Sequence, residues 1–234
     1  MYCLGGLTAT YETFPIKSNF GPQASQHKIA LVFPDVSPRD VAIEGIKDDW
    51  QFGDGAAYYV DATEAKYSKH FNMYSYVNHE LPEIINSHFH IDSQRQSITG
   101  FSVGGLGALL SYLKNSGNFR SVSAFAPVSH PTECNWGKNA FSKFLGSVEA
   151  GRAYDPTWLV QSYHGPKTPI LIDLGTDDKF TKEKQLLVND FLDAAHKSGL
   201  KVDFKLREGY GHNFFYIATF MGEHIDFHAR YLKA

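Results

Sequence analysis

The feature that most constrains the fold is an alternation of two kinds of apolar segment. Short runs rich in β-branched residues alternate with longer stretches in which apolar positions return every three or four residues. Since strands joined by amphipathic helices pair in parallel, this alternation predicts an α/β protein with a mostly parallel central sheet. The predicted strands are Tyr2–Leu4, Ile29–Pro34, Gln96–Phe101, Ser121–Phe125, Ile170–Leu174 and Val202–Leu206. The clearest predicted helices are Tyr74–His88, Val103–Asn115, Lys184–Lys197 and Phe214–Leu232.

Length and composition narrow the class of protein. The chain has 234 residues, 43% hydrophobic and 20% charged, which predicts one folded domain over residues 1–234. Its formal net charge of −3 includes no basic block, so nucleic acid is not an expected partner. No apolar run reaches the roughly 18 residues needed to cross a bilayer, so no membrane association is expected. Only two cysteines, Cys3 and Cys134, and no secretory leader predict a cytoplasmic protein.

A serine enclosed by glycines stands between a predicted strand and a predicted helix. The run Gly100-Phe101-Ser102-Val103-Gly104 fits G-x-S-x-G, a pattern that presents a nucleophilic serine on a sharp turn above a sheet. The glycines relieve crowding around the serine, and the amide of Val103 points from a helix N-terminus toward developing negative charge. We therefore predict that Ser102 is a nucleophile. The alternative is a glycine-rich turn in which Ser102 caps the helix or binds phosphate.

A nucleophilic serine requires a histidine as base. The chain has eleven histidines, and spacing must choose among them. His212 lies in a turn with two glycines, directly after the last predicted strand and therefore at the same sheet end as Ser102. We predict His212 as the base, with His130 as the second choice. His224 and His228, like His88 and His90, have a spacing that suits a metal, but neither pair has an evident third ligand. We expect these four on the protein surface and predict no metal.

The base requires a carboxylate, and the oxyanion requires a second amide donor. Asp177 and Asp178 both follow the predicted strand Ile170–Leu174 at its carboxyl end, where catalytic loops gather, and spacing does not separate them. The glycine-containing run Leu4–Thr8 after the first strand fits the loop that supplies the second donor.

Many further blocks of the sequence point to a known family. They include Gly6-Leu7-Thr8, Pro34-Asp35, Ser37-Pro38-Arg39, Phe52-Gly53, Tyr59-Val60-Asp61-Ala62-Thr63, Met73-Tyr74-Ser75-Tyr76-Val77, Ser121-Val122-Ser123-Ala124-Phe125-Ala126-Pro127, Trp136-Gly137-Lys138, Gln185-Leu186-Leu187 and Ile217-Ala218-Thr219-Phe220. With these blocks the chain resembles the S-formylglutathione hydrolase family, also called esterase D. The resemblance implies the α/β-hydrolase fold, hydrolysis of S-formylglutathione to formate and glutathione in formaldehyde detoxification, no cofactor, and a homodimer.

The resemblance also implies roles for individual residues. The family pattern Gly-x-x-Asp-x-Phe falls on Gly175, Asp178 and Phe180, which implies Asp178 as the acid. The other implied roles are those of Ser102 as nucleophile, His212 as base, and the backbone amides of Leu7 and Val103 as oxyanion donors.

Two of the departures of this chain from the family pattern bear on its expected activity. Phe101 and Val103 stand where the family usually has histidine and methionine, so the acyl pocket is expected to differ. Family members carry several tens of residues, including the first strands of the sheet, before the position of Met1, so the expected domain is N-terminally shortened. These departures leave two alternatives open: a general carboxylesterase for short acyl esters, or a catalytically silent shortened isoform.

Overall fold

The structure, a computed structural model, describes all 234 residues and contains a five-stranded, wholly parallel sheet. The strands stand side by side in chain order, each hydrogen-bonded to the next. They are β1 (Tyr2–Leu4), β2 (Ile98–Phe101), β3 (Val122–Phe125), β4 (Ile170–Gly175) and β5 (Val202–Arg207). The predicted α/β class is confirmed. Every predicted strand except Ile29–Pro34 is present, with its ends shifted by at most two residues.

Helices connect the strands, as parallel pairing requires. They are α1 (Thr13–Lys17), α2 (Gly21–His27), α3 (Met73–Ser75), α4 (Leu81–His88), α5 (Val103–Lys114), α6 (Asn135–Leu145), α7 (Pro156–Leu159), α8 (Lys179–Lys182), α9 (Val188–Lys197) and α10 (Phe214–Leu232). A π-helical segment, Tyr76–Glu80, joins α3 to α4, and two 3₁₀ segments cover Glu149–Tyr154 and Val160–Ser162. None of the helices has both the length and the hydropathy required to cross a membrane.

The predicted strand Ile29–Pro34 is wrong. Only Val32 forms a bridge, pairing in parallel with Tyr2 at the outer side of β1. The amide of Ile29 instead donates to the carbonyl of Ala24 in α2. The other end of the segment is Pro34, which has no N–H to offer. The segment therefore lies along β1 without forming a regular ladder.

Two of the predicted helices differ from the structure in detail. The stretch predicted as Tyr74–His88 is helical from Met73 onward but contains the π-helical segment. The helix predicted from Lys184 begins only at Val188. Leu187 has a φ of 47° and Lys184 a φ of 56°, so the backbone at both residues is left-handed and cannot continue a helix.

The two faces of the sheet are covered by different helices. Helix α5 packs on β1, β2 and β3, whereas α10 contacts β3 and β4 from the opposite face. Helices α1 and α2 pack against α10. Because side chains alternate along a strand, Ala124 of β3 faces α5 and its neighbour Ser123 faces α10. On the α10 face, Ser121 and Ser123 stand beside the apolar Phe125, which stacks on His224. This arrangement places the start of α5 at the carboxyl edge of the sheet.

His224 and His228 of α10 lie opposite these serines and are both 0% exposed. The expectation that they lie on the helix surface is therefore wrong. His228 shares hydrogen bonds of 2.8 Å with the hydroxyls of Ser121 and Ser123, and His224 Nδ1 lies 2.8 Å from the Ser123 hydroxyl. The apolar pattern of α10 alone does not predict this burial. Buried imidazoles require hydrogen-bond partners, and the serines of the neighbouring strand supply them.

The buried histidines make the stability of the fold sensitive to acid. Burial lowers the pKa of both His224 and His228, so the native state keeps them neutral. The unfolded chain binds a proton at each near pH 6.5, so the free energy of unfolding should decrease as the pH falls below that value. Each histidine contributes a slope of at most about 1.4 kcal/mol per pH unit. Urea unfolding measured between about pH 7 and pH 5 tests this.

The variant His228→Gln provides the control, because glutamine can hydrogen-bond to the same serines but does not titrate. Its free energy of unfolding should decrease less steeply over the same pH range. Equal slopes for the wild type and His228→Gln would show that His228 is not responsible.

Candidate active site

Ser102 occupies a strained turn between β2 and α5. Its φ of 59° and ψ of −118° lie outside the regions that a non-glycine residue adopts comfortably. Three backbone hydrogen bonds maintain this conformation: the Ser102 amide donates to the carbonyl of Phe125, and the amides of Leu106 and Val128 donate to the carbonyl of Ser102. The serine is 4% exposed. Strain of this kind persists where the surroundings enforce it, and it is common at reactive residues.

The glycines around Ser102 are required by close backbone contacts. A Cβ at Gly100 would overlap the carbonyl group of Gly104, and a Cβ at Gly104 would overlap the carbonyl oxygens of Leu4 and Gly5. The first turn of α5 therefore lies directly against the end of β1. Only glycine allows this approach.

We expect Gly104→Ala to destabilise the protein. The added methyl group would meet backbone atoms, which cannot rotate away, so the cost should reach about 3 kcal/mol, the upper part of the range for overpacking. Urea unfolding followed by circular dichroism measures the change. The control is Gly21→Ala, since a Cβ at Gly21 has no neighbour within 4 Å and should leave the free energy of unfolding nearly unchanged.

His212 and Asp178 are brought together by the loops that follow β5 and β4. His212 Nδ1 donates a hydrogen bond of 2.6 Å to Asp178 Oδ2. The other carboxylate oxygen accepts from the amides of Phe180 and Thr181, because Asp178 also caps the N-terminus of α8. Asp178 is 1% exposed. The carboxylate is therefore fixed by three donors, and it orients the imidazole with Nε2 free to face another group.

The structure distinguishes the three aspartates of this region. Asp177 is exposed and makes no side-chain hydrogen bond, whereas Asp178 is buried against His212. Asp173, inside β4, instead binds Arg207 and the hydroxyl of Tyr216. Burial would raise the pKa of Asp173, but the neighbouring His224 and the hydrogen bonds from Arg207 outweigh it and lower the pKa. Asp178 alone among the three contacts the predicted base.

Aromatic rings enclose the imidazole of His212. The ring of Phe101, the residue before Ser102, packs against it with 4.4 Å between centroids, and Phe180 approaches edge-on at 4.7 Å. Trp136 contacts Phe180 at 4.6 Å, and the half-exposed Trp50 contacts Trp136 at 5.7 Å. Contact between Phe101 and His212 shows that the turn of Ser102 and the loop of His212 meet at one edge of the sheet.

The two amides expected to stabilise an oxyanion are both free of protein acceptors. Neither the Leu7 amide nor the Val103 amide donates a hydrogen bond within the chain. A Cβ built at Gly6 would lie 3.1 Å from the Cβ of Ser102, so the loop that carries Leu7 runs beside the serine. Val103 is the first residue of α5, where amides have no helical partner. The geometry therefore offers two amide donors beside Ser102.

The other histidines considered from the sequence lie elsewhere. His130 pairs with Asp190 at 2.8 Å, so it already has a carboxylate partner of its own. His88 and His90 are exposed, as expected. No group of three or more histidine, cysteine, aspartate or glutamate side chains is arranged to hold a metal ion.

Two features of this site, the aromatic neighbours of His212 and the helix cap that follows it, were not predicted from the sequence. Phe101 and Phe180 were not predicted as neighbours of His212. The position of Phe180 two residues after Asp178, within Gly-x-x-Asp-x-Phe, could have indicated that Phe180 lies near the base. Asn213 was not predicted as the N-cap of α10 either. Its side-chain oxygen accepts a hydrogen bond from the Tyr216 amide, so the helix begins immediately after the loop of His212. An asparagine followed by an apolar helical run is a recognisable N-cap signal.

Known proteins resemble the chain over nearly its whole length. A family model described as "Putative esterase" matches residues 1–227. S-formylglutathione hydrolase of Bos taurus is 48% identical over 100% of this chain and 83% of its own length, and that of Arabidopsis thaliana is 44% identical over 100% and 82%. The solved structure of an S-formylglutathione hydrolase from Agrobacterium tumefaciens superposes with a TM-score of 0.94 at 39% identity, covering 99% of this chain and 83% of that one. This chain belongs to the S-formylglutathione hydrolase family of esterases.

Proposed function

We propose that this chain is a serine hydrolase that cleaves S-formylglutathione to formate and glutathione, with Ser102 as nucleophile, His212 as base and Asp178 as acid. The observation that carries the proposal is the buried hydrogen bond between His212 and Asp178 beside the strained turn of Ser102. The names of the family relatives support the choice of substrate. A role in formaldehyde detoxification follows from that substrate.

The first half of the reaction forms an acyl-enzyme. Asp178 holds the Nδ1–H of His212, so Nε2 is the atom that accepts the proton of Ser102 as its oxygen attacks the formyl carbon. The amides of Leu7 and Val103 donate to the oxygen that becomes negatively charged. When the tetrahedral intermediate collapses, the carbon–sulfur bond breaks and His212 returns the proton to the glutathione sulfur. A thiol leaves readily because its pKa is near 8.5.

The second half of the reaction releases formate. A water molecule takes the place of the thiol, His212 accepts its proton, and the hydroxide attacks the formyl carbon of the ester on Ser102. The same two amides stabilise the second oxyanion. Ser102 then leaves with the proton held by His212, and the enzyme returns to its starting state. Every step uses groups of the protein and water, so the proposal includes no cofactor.

The substrate is tested by comparing two esters. The purified chain should hydrolyse S-formylglutathione with a kcat/KM well above that for 4-nitrophenyl acetate, because only the first carries a glutathione arm for the site to bind. The rates are read from thioester absorbance and from nitrophenolate release. A higher kcat/KM for 4-nitrophenyl acetate would favour a general carboxylesterase. No turnover of either ester would favour a catalytically silent protein.

One observation favours the carboxylesterase as the second candidate. The nucleophile is flanked by the apolar Phe101 and Val103, and Phe101 lies against the imidazole of His212. An apolar surface beside the reacting carbon suits acyl groups larger than formyl. A series of 4-nitrophenyl esters of increasing acyl length measures how much space this surface leaves.

We also propose a cellular compartment and an oligomeric state for the enzyme. Cys3 and Cys134 are both free and buried, which agrees with a reducing compartment, and we place the enzyme in the cytoplasm. We further propose a homodimer with a small-molecule substrate and no nucleic acid partner. Sedimentation equilibrium of the purified chain determines the oligomeric state.

A further inference from the structure

The segment Gly5–Ala9, here called the oxyanion loop, carries the Leu7 amide. It begins with two adjacent glycines, Gly5 and Gly6, which give the backbone great conformational freedom. An amide that stabilises an oxyanion must be held in place before the reaction, because reorganisation during the reaction would cost rate. Contacts from outside the oxyanion loop must therefore fix its geometry.

The C-terminal end of the oxyanion loop has two anchors. The Thr8 amide donates to the carbonyl of Gly55 at 2.8 Å, and Arg39 Nη2 donates to the carbonyl of Ala9 at 2.7 Å. Both bonds lie after Leu7 in the chain. Within the loop, the Ala9 amide donates to the carbonyl of Gly6 at 3.2 Å, which ties the peptide that contains the Leu7 amide to this anchored end. None of these bonds reaches the peptide between Gly5 and Gly6.

The N-terminal end of the oxyanion loop is held by Tyr59. Its hydroxyl donates a buried hydrogen bond of 2.8 Å to the carbonyl of Gly5. That carbonyl belongs to the peptide group next to the one that contains the Leu7 amide. With the Gly5 carbonyl held at one end and the Gly6, Thr8 and Ala9 bonds at the other, the φ and ψ angles of Gly6 have little freedom left, and the Leu7 amide is fixed between two anchored ends.

Tyr59 is itself rigidly placed. It is 2% exposed and has a φ of 55°, a left-handed conformation that an aromatic residue adopts only when its surroundings enforce it. Its ring lies on α5, where a Cβ at Gly107 would come within 2.6 Å of the Tyr59 Cγ atom. Burial raises the pKa of Tyr59, so the hydroxyl keeps its proton and remains a donor.

We propose that Tyr59 is a positioning residue of the reaction: its hydroxyl holds the Gly5 carbonyl and thereby aims the Leu7 amide at the oxyanion. The inference rests on the proposed function, because Leu7 is a donor only if Ser102 is the nucleophile. Tyr59 links the oxyanion loop to α5, the helix that begins after Ser102. Its effect should fall on the transition state and leave substrate binding nearly unchanged.

Tyr58 provides a matched control. It is 0% exposed, has a φ of 53°, and its hydroxyl donates to the carbonyl of Gln51 at 3.0 Å. The two tyrosines therefore share residue type, burial, backbone conformation and one hydrogen bond to a carbonyl. They differ in that only the bond of Tyr59 reaches the oxyanion loop.

The experiment compares Tyr59→Phe with Tyr58→Phe, using 4-nitrophenyl acetate and S-formylglutathione. We expect Tyr59→Phe to lower kcat roughly tenfold, with KM changed less than about twofold, and to weaken inhibition by phenylboronic acid, which forms a tetrahedral adduct with an activated serine. Tyr58→Phe should keep kcat within about twofold of the wild type. Melting temperatures show whether each variant is folded at the assay temperature.

Four results would count against the inference. Equal kcat in both variants, or a Tyr59→Phe effect on KM alone, would overturn it and leave the proposed function intact. A fall in melting temperature for Tyr59→Phe with kcat and phenylboronic acid inhibition unchanged would show a purely structural role. A wild-type chain that hydrolyses neither ester would overturn the proposed function and this inference together.

Discussion

Replacing Ser102 by alanine is expected to lower kcat/KM for S-formylglutathione by at least about 10⁴-fold, because no other group can form the acyl-enzyme. The residual rate would come from the amides and from binding alone. The free energy of unfolding should change little, since the side chain of Ser102 makes no hydrogen bond that maintains the turn, and its backbone bonds remain. Initial rates measured over a range of substrate concentrations give the change in kcat/KM.

Ser111→Ala is the control for this variant. Ser111 is a buried serine of α5, the helix that begins directly after Ser102, and its hydroxyl makes no hydrogen bond. Its replacement should leave kcat/KM unchanged. If Ser102→Ala retained wild-type activity, the nucleophile would have to be another residue.

The second large effect is expected at Asp178. In Asp178→Asn the side-chain oxygen can still accept from the amides of α8, which turns the NH₂ group toward His212 Nδ1. His212 would then carry its proton on Nε2 and could not accept one from Ser102, so kcat should fall by about 10³- to 10⁴-fold. Steady-state kinetics on S-formylglutathione measure the loss.

Asp177→Asn tests whether the loss is specific to position 178. Asp177 is the adjacent residue, but it is exposed and does not contact His212. The substitution removes the same charge from the same loop, so a kcat close to that of the wild type is expected. A similar loss in both variants would mean that the charge of the loop, and not the orientation of His212, governs the rate.

The strands of the sheet could be predicted from the sequence because a local pattern of residues marks each of them. The strands β2 to β4 are short, mostly apolar runs, β5 alternates apolar and charged residues, and α10 was predicted with both of its ends. The segment Ile29–Pro34 has the same composition as a strand but pairs only at Val32. Its hydrogen bonds depend on α2 and on the N-terminus, which local composition does not describe.

The candidate site was predictable in part. The G-x-S-x-G pattern requires glycine at two positions where the backbone is in close contact with other backbone atoms. The structure shows these contacts at Gly100 and Gly104. The choice between Asp177 and Asp178 could not be made from spacing, because adjacent residues of a loop point in different directions. The family pattern indicated Asp178, and the hydrogen bond to His212 shows which side chain turns inward.

The failure at His224 and His228 has a different cause. Their spacing suits a metal, and a surface location was predicted because no third ligand is evident in the sequence. Their partners, Ser121 just before β3 and Ser123 within it, lie about a hundred residues earlier, as the sequence separations of 107 and 101 residues show. A buried polar pair across such a distance leaves no signal in either segment alone.

Labelling with a fluorophosphonate, followed by mass spectrometry of the peptides, shows which serine is activated. We expect one adduct, on Ser102, formed rapidly by the wild type and by His130→Ala, whose histidine pairs with Asp190. In His212→Ala the same adduct should form far more slowly. An adduct on another residue, no adduct at all, or equal rates in His212→Ala and the wild type would contradict the convergence of Ser102, His212 and Asp178 in one site.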